Sequence, residues 1–262
     1  MRLRSLLLLA AASLAAFPAG AIVRRADRDD GEYLELATRY RSALALGGFG
    51  EGVLIAPRWI LTSASVAAAL REAHASRLAI AGAAHEIRSL FIAPPALDAG
   101  LALILLADDV PGIEPTPLHR ERDEQGKAVV VVGHGATGFI GVHADVRDGR
   151  ARGAINTIDR VEPTRLDLRI KANDDASDLQ GAAAAGDEGA PAYLESKGRL
   201  SVAGIAIGPR GAAVPKVGDS DRYARVSAFT GWIDEAMFKA AADEASAATA
   251  KEKAPRGKHR AR

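Results

Sequence analysis

The sequence contains no cysteine and carries almost no net charge. The absence of cysteine excludes disulfide bonds, thiolate nucleophiles and thiolate metal ligands. A net charge of +1 over 262 residues argues against nucleic-acid binding as the main function, because nucleic-acid-binding domains usually carry a clear basic excess. Two acidic clusters, 27–30 and 173–178, lack the spacing and the fixed glycine of a calcium loop. We therefore predict neither a metal site nor a cofactor.

Long apolar runs are also missing, since no segment after the N-terminus is typical of a membrane span. At the N-terminus a short basic region precedes the apolar run from Ser5 to Phe17, and the small residues 19–21 follow. This pattern predicts a secretory signal peptide, residues 1–21, that is removed after Ala21. An uncleaved membrane anchor is the alternative. The predicted location of the mature protein is the periplasm or the outside of the cell.

Short apolar runs separated by turn residues fill most of the remaining chain, which favours an all-β fold built as a sandwich or a pair of barrels. A proline- and charge-rich segment, 108–126, has the composition of a linker between two halves. Near the C-terminus the apolar period becomes helical. The predicted units are an N-terminal half with linker at 22–125, a C-terminal half with a terminal helix at 126–245, and a disordered basic tail at 246–262.

Six stretches occur in an order that is specific in combination, although none is decisive alone. They are "GVLIAPRWILTSAS", "GLALILLA", "VVVVGHGATG", "GDEGAPAYLE", "VAGIAIG" and "YARVSAFTGWI". In this order they resemble the successive landmarks of the trypsin-like serine peptidases, over about residues 22–237. The resemblance implies two packed antiparallel six-stranded β-barrels and a C-terminal α-helix.

The chemistry of this family needs a serine nucleophile, a histidine base and an aspartate that orients the imidazole. Each lies in a motif that has a counterpart here. Where the family has "LTAAH", this chain has "LTSAS", so the base position holds Ser65. Gly100 opens the strand that reads "DIALL" in the family. Glu188 replaces the nucleophile of "GDSGGP", so the resemblance implies that no catalytic residue is retained.

The resemblance implies that the turn "GDEGAP" corresponds to the family's oxyanion-binding turn, whose backbone donors here would be the N–H groups of Gly186 and Glu188. The Glu188 carboxylate would either repel an oxyanion or fold back and accept these hydrogen bonds itself. Six residues earlier, at the base of the family's specificity pocket, stands Ala182, which implies a small neutral pocket. Asp187 corresponds to the family's aspartate that pairs with a newly formed N-terminus. Cleavage after Ala21 would let the Ile22 ammonium fill that role.

No histidine is expected to replace the missing base. The six candidates are ordinary surface or satisfied histidines by their context, and the resemblance puts His134 outside the cleft; they are His74, His85, His119, His134, His143 and His259. Asp98 could swing towards the cleft, but it would have no imidazole to orient.

Three functional hypotheses follow. The first is a secreted, inactive peptidase homologue that binds a protein or peptide partner. The second is a hydrolase with rebuilt chemistry, in which Glu188 acts as a base. In the third, the chain shares only the β-barrel style of the family.

Overall fold

The computed structural model describes residues 22–172, 174–207 and 214–253. Short strands dominate, because β-branched and other apolar residues alternate with turn residues along the chain. In chain order the strands are β1 (Val23–Arg24), β2 (Ala43–Ala45), β3 (Glu51–Ala56), β4 (Trp59–Ser63), β5 (Arg77–Ile80), β6 (Ala83–Ile92), β7 (Leu101–Leu106), β8 (Ala128–Gly133), β9 (Thr137–Phe139), β10 (His143–Val146), β11 (Arg152–Val161), β12 (Arg165–Arg169), β13 (Gly181–Ala182), β14 (Pro191–Ser196), β15 (Arg199–Ala206) and β16 (Ser220–Arg225).

The strands form two six-stranded antiparallel barrels. The first is nearly closed and has the strand order β2-β3-β4-β7-β6-β5, while the second closes in the order β11-β12-β16-β15-β14-β8. A small third sheet, β10-β9-β1-β13, holds the N-terminal strand β1 against β9 and β13. The all-β prediction of paired barrels is thereby confirmed.

Buried side chains of both barrels meet in one shared cluster, which is separate from two further core clusters. Val53 and Leu61 of the first barrel belong to the same cluster as Tyr193 and Val202 of the second. Ile233 of the C-terminal helix joins this cluster and is fully buried. The two barrels are therefore packed face to face, and residues at their junction are fixed from both sides.

Two short helices were not predicted. Helix α1 (Asp30–Ala37) begins after Asp29, whose carboxylate accepts a hydrogen bond from the Gly31 N–H. Helix α2 (Ala64–Glu72) begins after Ser63, whose hydroxyl accepts from the Val66 N–H. Aspartate and serine are preferred at this position because they satisfy helix N–H groups that have no partner within the helix. These two caps were the signals available in the sequence.

The predicted C-terminal helix exists, but it is longer than expected. Helix α3 runs from Thr230 to Lys253, eight residues past the predicted boundary at 245. The predicted disordered tail is therefore helical at 246–253. Its alanine-rich sequence favours a helix, and Pro255 disfavours helical geometry only at the residue before it. Residues 254–262 lie outside the described part of the chain, as do 1–21. Within the described residues, no helix is long and apolar enough to cross a membrane.

Candidate functional site

The turn at 186–191 lies at the junction of the two barrels and is held from both. The Glu51 N–H of the first barrel donates to the Glu188 carbonyl at 2.7 Å. The Gly189 N–H donates to the Ala206 carbonyl of the second barrel at 2.8 Å. Gly189 has φ +90°, a conformation that side-chain-bearing residues rarely adopt. The glycine spacing in "GDEGAP" thus reflects a backbone shaped by its neighbours.

The three positions that correspond to the family's catalytic residues lie around this turn. The Ala64 N–H donates to the Gly100 carbonyl at 2.8 Å, which places Gly100 beside the start of α2 and Ser65. A side chain added at Gly50 would contact both Val66 of α2 and the Glu188 carbonyl, so this helix and the turn are neighbours. The fold therefore brings the three positions to one place, as the resemblance implies.

The Glu188 side chain accepts a hydrogen bond from its own turn. The Gly186 N–H donates to the Glu188 Oε2 at 3.0 Å. The sequence left open whether this carboxylate projects outward or folds back, and in the structure it folds back onto a backbone donor. One guanidinium nitrogen of Arg147 lies against Gly186, at 3.2 Å from the position of an added Cβ atom, and brings a positive charge to the same turn. An acidic side chain of the protein itself therefore uses one backbone donor of this turn.

The Ser65 hydroxyl lies next to another serine hydroxyl. Its Oγ lies 2.9 Å from the Ser63 Oγ, and Ser65 is exposed. Gly100 has φ +65°, and an added Cβ atom would lie 3.1 Å from the Ile207 side chain. An aspartate would therefore fit poorly at this position, both in backbone conformation and in space.

Asp187 is buried beneath the turn, with 1% of its surface exposed. Its carboxylate accepts three backbone hydrogen bonds, from Gly135 at 2.7 Å, from Ala184 at 2.9 Å and from Ile22 at 3.4 Å. Burial, with a smaller contribution from the nearby Glu51 carboxylate, raises the pKa of Asp187 to about 7. A positive charge at Ile22 would therefore stabilise the ionised form of Asp187.

The N-terminal strand places Ile22 next to Asp187. Ile22 is fully buried, and its carbonyl accepts a hydrogen bond from the Thr137 hydroxyl at 2.7 Å. Its φ of +50° is an outlier for a β-branched residue within a chain. A chain beginning at Ile22 would have no preceding carbonyl and would be free of this clash. The proximity is consistent with the predicted ion pair, which stays a prediction.

A buried carboxylate–imidazole pair adjoins the turn, and the sequence analysis missed it. The Glu51 Oε2 lies 2.8 Å from the His134 Nδ1, and the Glu51 Oε1 accepts from the His134 N–H at 3.1 Å. Glu51 is 2% exposed, and the pKa of its carboxyl is raised chiefly by burial. Burial lowers the pKa of the His134 imidazole, but the hydrogen bond to Glu51 and the negative charges of Glu51 and Asp187 together outweigh it, so this pKa is raised. A glutamate inside the glycine-flanked apolar strand "GEGVLIA" was the available signal, because such a charge needs a partner.

One histidine ring does lie beside a serine hydroxyl. The His119 Nδ1 is 3.3 Å from the Ser201 Oγ, and the His119 Nε2 is 3.0 Å from an Asp123 oxygen. The Ser201 hydroxyl also donates to the Leu194 carbonyl at 3.1 Å. Ser201 stands five residues before Ala206 on β15, which is about 17 Å along an extended strand. This group therefore lies away from the turn at 186–191.

Ala182 and Asp98, two further residues from the sequence analysis, each contact another part of the chain. Ala182 is buried in β13, where it pairs with Val23. The Asp221 carboxylate accepts a hydrogen bond from the N–H of the next residue, Ala183, at 2.6 Å, and the small neutral pocket stays a prediction. Asp98 pairs with Arg165 at 2.7 Å and does not approach Ser65 through any hydrogen bond among the described residues.

The two acidic clusters are engaged by arginines. Arg25 binds Asp27 at 2.6 Å, and Arg28 binds Asp178 at 2.6 Å, which ties the two clusters together. Among the described residues, no group of three or more histidine or acidic side chains could hold a metal ion.

The comparisons with known proteins agree with this architecture. A sequence search of curated proteins finds no match. Among solved structures, human heparin binding protein is 19% identical and has a TM-score of 0.58, with 76% of this chain and 92% of that one covered. A single-residue mutant of human heparin binding protein (CAP37) is 20% identical with a TM-score of 0.58, covering 81% and 94%. At such identities the likeness shows the fold alone. The model of the trypsin-like peptidase domain matches residues 50–205, and the chain belongs to this family.

Proposed function

We propose that this protein is a secreted, catalytically inactive homologue of the trypsin-like peptidases that acts by binding a protein or peptide partner. The observation that carries the proposal is the hydrogen bond from the Gly186 N–H to the Glu188 carboxylate. A peptidase needs a nucleophile at this position and open donors beside it. Here a carboxylate stands in place of the nucleophile and occupies one of the donors.

The expected loss of activity is large. In subtilisin, a different serine peptidase, removing either the serine or the histidine lowers turnover by about 10⁶-fold. The residual rate of such variants, roughly 10³- to 10⁴-fold above water, depends on the oxyanion hole and on substrate binding. Because the Glu188 carboxylate accepts the hydrogen bond of the Gly186 N–H, we expect this chain to lose part of that residual rate as well.

A fluorophosphonate probe, which labels activated serine nucleophiles, tests the proposal directly. We expect no labelling of the purified protein, because Ser63 is the only hydrogen-bond partner of the Ser65 side chain in the described part of the chain and the Ser201 hydroxyl donates to a backbone carbonyl. Active trypsin in the same reaction serves as the positive control. Stoichiometric labelling would contradict the proposal, and its loss in Ser65→Ala or Ser201→Ala would identify the serine responsible.

An active hydrolase with non-standard residues is the second candidate. The Glu51–His134 pair favours it, because a carboxylate orients the imidazole and the His134 Nε2 makes no hydrogen bond among the described residues. Casein hydrolysis that is abolished by both His134→Ala and Glu188→Ala, in variants that keep the native circular dichroism spectrum, would support this candidate over the first.

Secretion would complete the fold if cleavage frees Ile22, since the new ammonium would lie beside Asp187. We expect a chain with one extra residue before Ile22 to lose stability as the pH rises from 5 to 7. In this window folded Asp187, with a pKa of about 7, holds a proton that the unfolded chain has released. The expected loss is about 1.4 kcal/mol per pH unit.

A chain beginning at Ile22 should behave differently, because its ammonium favours the charged carboxylate. We expect a smaller loss between pH 5 and 7, and a further loss above about pH 8, where the amine gives up the proton that the ion pair requires. Urea unfolding of both chains across this range measures the difference. Identical pH profiles for the two chains would exclude the ion pair.

A further inference from the structure

One cavity shares no lining residue with the turn at 186–191, and the proposed function does not use it. Its volume is about 620 Å³, within the range of small-molecule sites. One wall is the segment 39–42 between α1 and β2, and the other is the segment 112–117 of the connection between the barrels. Leu200 of β15 completes it. The cavity therefore has contributions from both barrels and from their connection.

The floor of this cavity is formed by Ser42 and Thr116, whose hydroxyl groups form a chain with that of the buried Tyr193. The Ser42 Oγ lies 2.7 Å from the Thr116 Oγ1 and 2.8 Å from the Tyr193 hydroxyl. All three residues are buried, with at most 6% of their surface exposed. Burial raises the pKa of Tyr193, so its phenol is protonated at neutral pH and the three groups carry three protons.

Counting these protons shows that one donor is left over. Two hydrogen bonds within the chain use two of the three protons. Tyr193 is 1% exposed and does not line the cavity, so an unbonded phenol proton there would be costly. Tyr193 therefore donates to Ser42, and the remaining proton belongs to Ser42 or Thr116. Both of these residues line the cavity, so the floor offers it a hydrogen-bond donor.

The walls add charge and apolar surface. Arg39 and Arg41 line the first wall; Arg41 makes no ion pair among the described residues, and Arg39 has only a 3.9 Å contact with Glu35. Glu114 lines the opposite wall and is exposed. The Tyr40 ring is held in place by Tyr193, with 4.9 Å between ring centroids. The remaining surface is apolar and comes mainly from Ile113, Pro115, Pro117 and Leu200.

We infer that this cavity binds a short zwitterionic peptide with an apolar side chain. The guanidinium groups and the floor hydroxyl are donors suited to a free C-terminal carboxylate, which arginine recognises strongly. Glu114 on the opposite wall is suited to the peptide ammonium. Tyr40 and the proline-rich wall supply apolar contact for the side chain between the two charged ends. The inference does not depend on whether the protein is a peptidase.

Calorimetric titration with the tripeptide Ala-Leu-Ala tests the inference, using the whole protein. We expect saturable binding, a loss of at least about tenfold in affinity when the peptide C-terminus is amidated, and a similar loss in Arg41→Ala. Arg77→Ala, which removes an exposed arginine on β5, is the matched control and should bind like the unchanged protein.

Two results would overturn the inference: no saturable binding of the free tripeptide, or equal affinity for the free and amidated peptides. Binding that is insensitive to Arg41→Ala would place the peptide elsewhere and would also overturn it. We also expect Glu114→Gln to bind the free tripeptide more weakly than the unchanged protein does, and to bind the N-acetylated tripeptide equally well. This pair of results would indicate that Glu114 contacts the peptide ammonium. None of these results bears on fluorophosphonate labelling, so the two proposals fail or survive separately.

Discussion

Replacing Asp187 with alanine is expected to lower the free energy of unfolding by about 3 to 5 kcal/mol. The change would leave the N–H groups of Gly135, Ala184 and Ile22 without their acceptor in a buried place. It would also leave the Ile22 ammonium unpaired in a chain that begins there. Urea unfolding followed by circular dichroism measures the effect.

Two further variants test whether the lost stability comes from removing the buried carboxylate. Asp187→Asn keeps the shape and one acceptor oxygen, so we expect a smaller loss and a flatter dependence of stability on pH between 5 and 7. Asp145→Ala removes an aspartate whose side chain is 83% exposed, and it should change stability by less than about 0.5 kcal/mol. Equal effects of Asp187→Ala and Asp145→Ala would show that the buried carboxylate does not hold the turn together.

Replacing Gly189 with alanine is expected to destabilise the protein by more than about 4 kcal/mol, in the range where folding itself can fail. The new Cβ atom would lie 2.0 Å from the Glu51 carbonyl oxygen and 2.5 Å from the Thr62 hydroxyl oxygen. The first of these is backbone of a buried strand and has no room to move. The φ of +90° adds strain of its own.

Gly198→Ala is the matched control for this variant. Gly198 has φ +70°, but its added Cβ atom would meet no atom within 4 Å. We expect a loss of about 1 to 2 kcal/mol, which is the cost of the backbone conformation alone. Thermal unfolding of the two variants separates this cost from the clash. If they are equally stable, the contact between the turn and the first barrel is looser than the structure indicates.

Much of the fold could be predicted from the sequence because its signals are local. Apolar runs such as 128–133 and 199–206 form strands where they were expected, since side-chain pattern and turn residues act over a few positions. The short helices were missed because α1 lies in a polar stretch and its cap, Asp29, is one of four neighbouring charged residues. The end of α3 was misplaced because a polar, basic composition was taken for disorder although the alanines favour a helix.

The candidate site was predictable only as a set of positions. The motifs located Ser65, Gly100 and Glu188 and identified the side chains that stand there. They did not locate the partner of His134, because Glu51 lies 83 residues away in the other barrel. The direction of the Glu188 side chain could not be predicted either, since it depends on the Gly186 N–H that the folded turn presents as a donor.

The sequence by itself determined which chemical groups are present: no thiol, a carboxylate at the nucleophile position, and strands enough for two barrels. Only the tertiary structure decided how those groups are paired. It placed the Glu188 carboxylate on a backbone N–H, Glu51 against His134, and the hydrogen-bonded hydroxyls of Ser42 and Thr116 at the floor of a cavity. The reason is physical: a residue's identity fixes what it can donate or accept, whereas its partner depends on contacts between segments far apart in the chain.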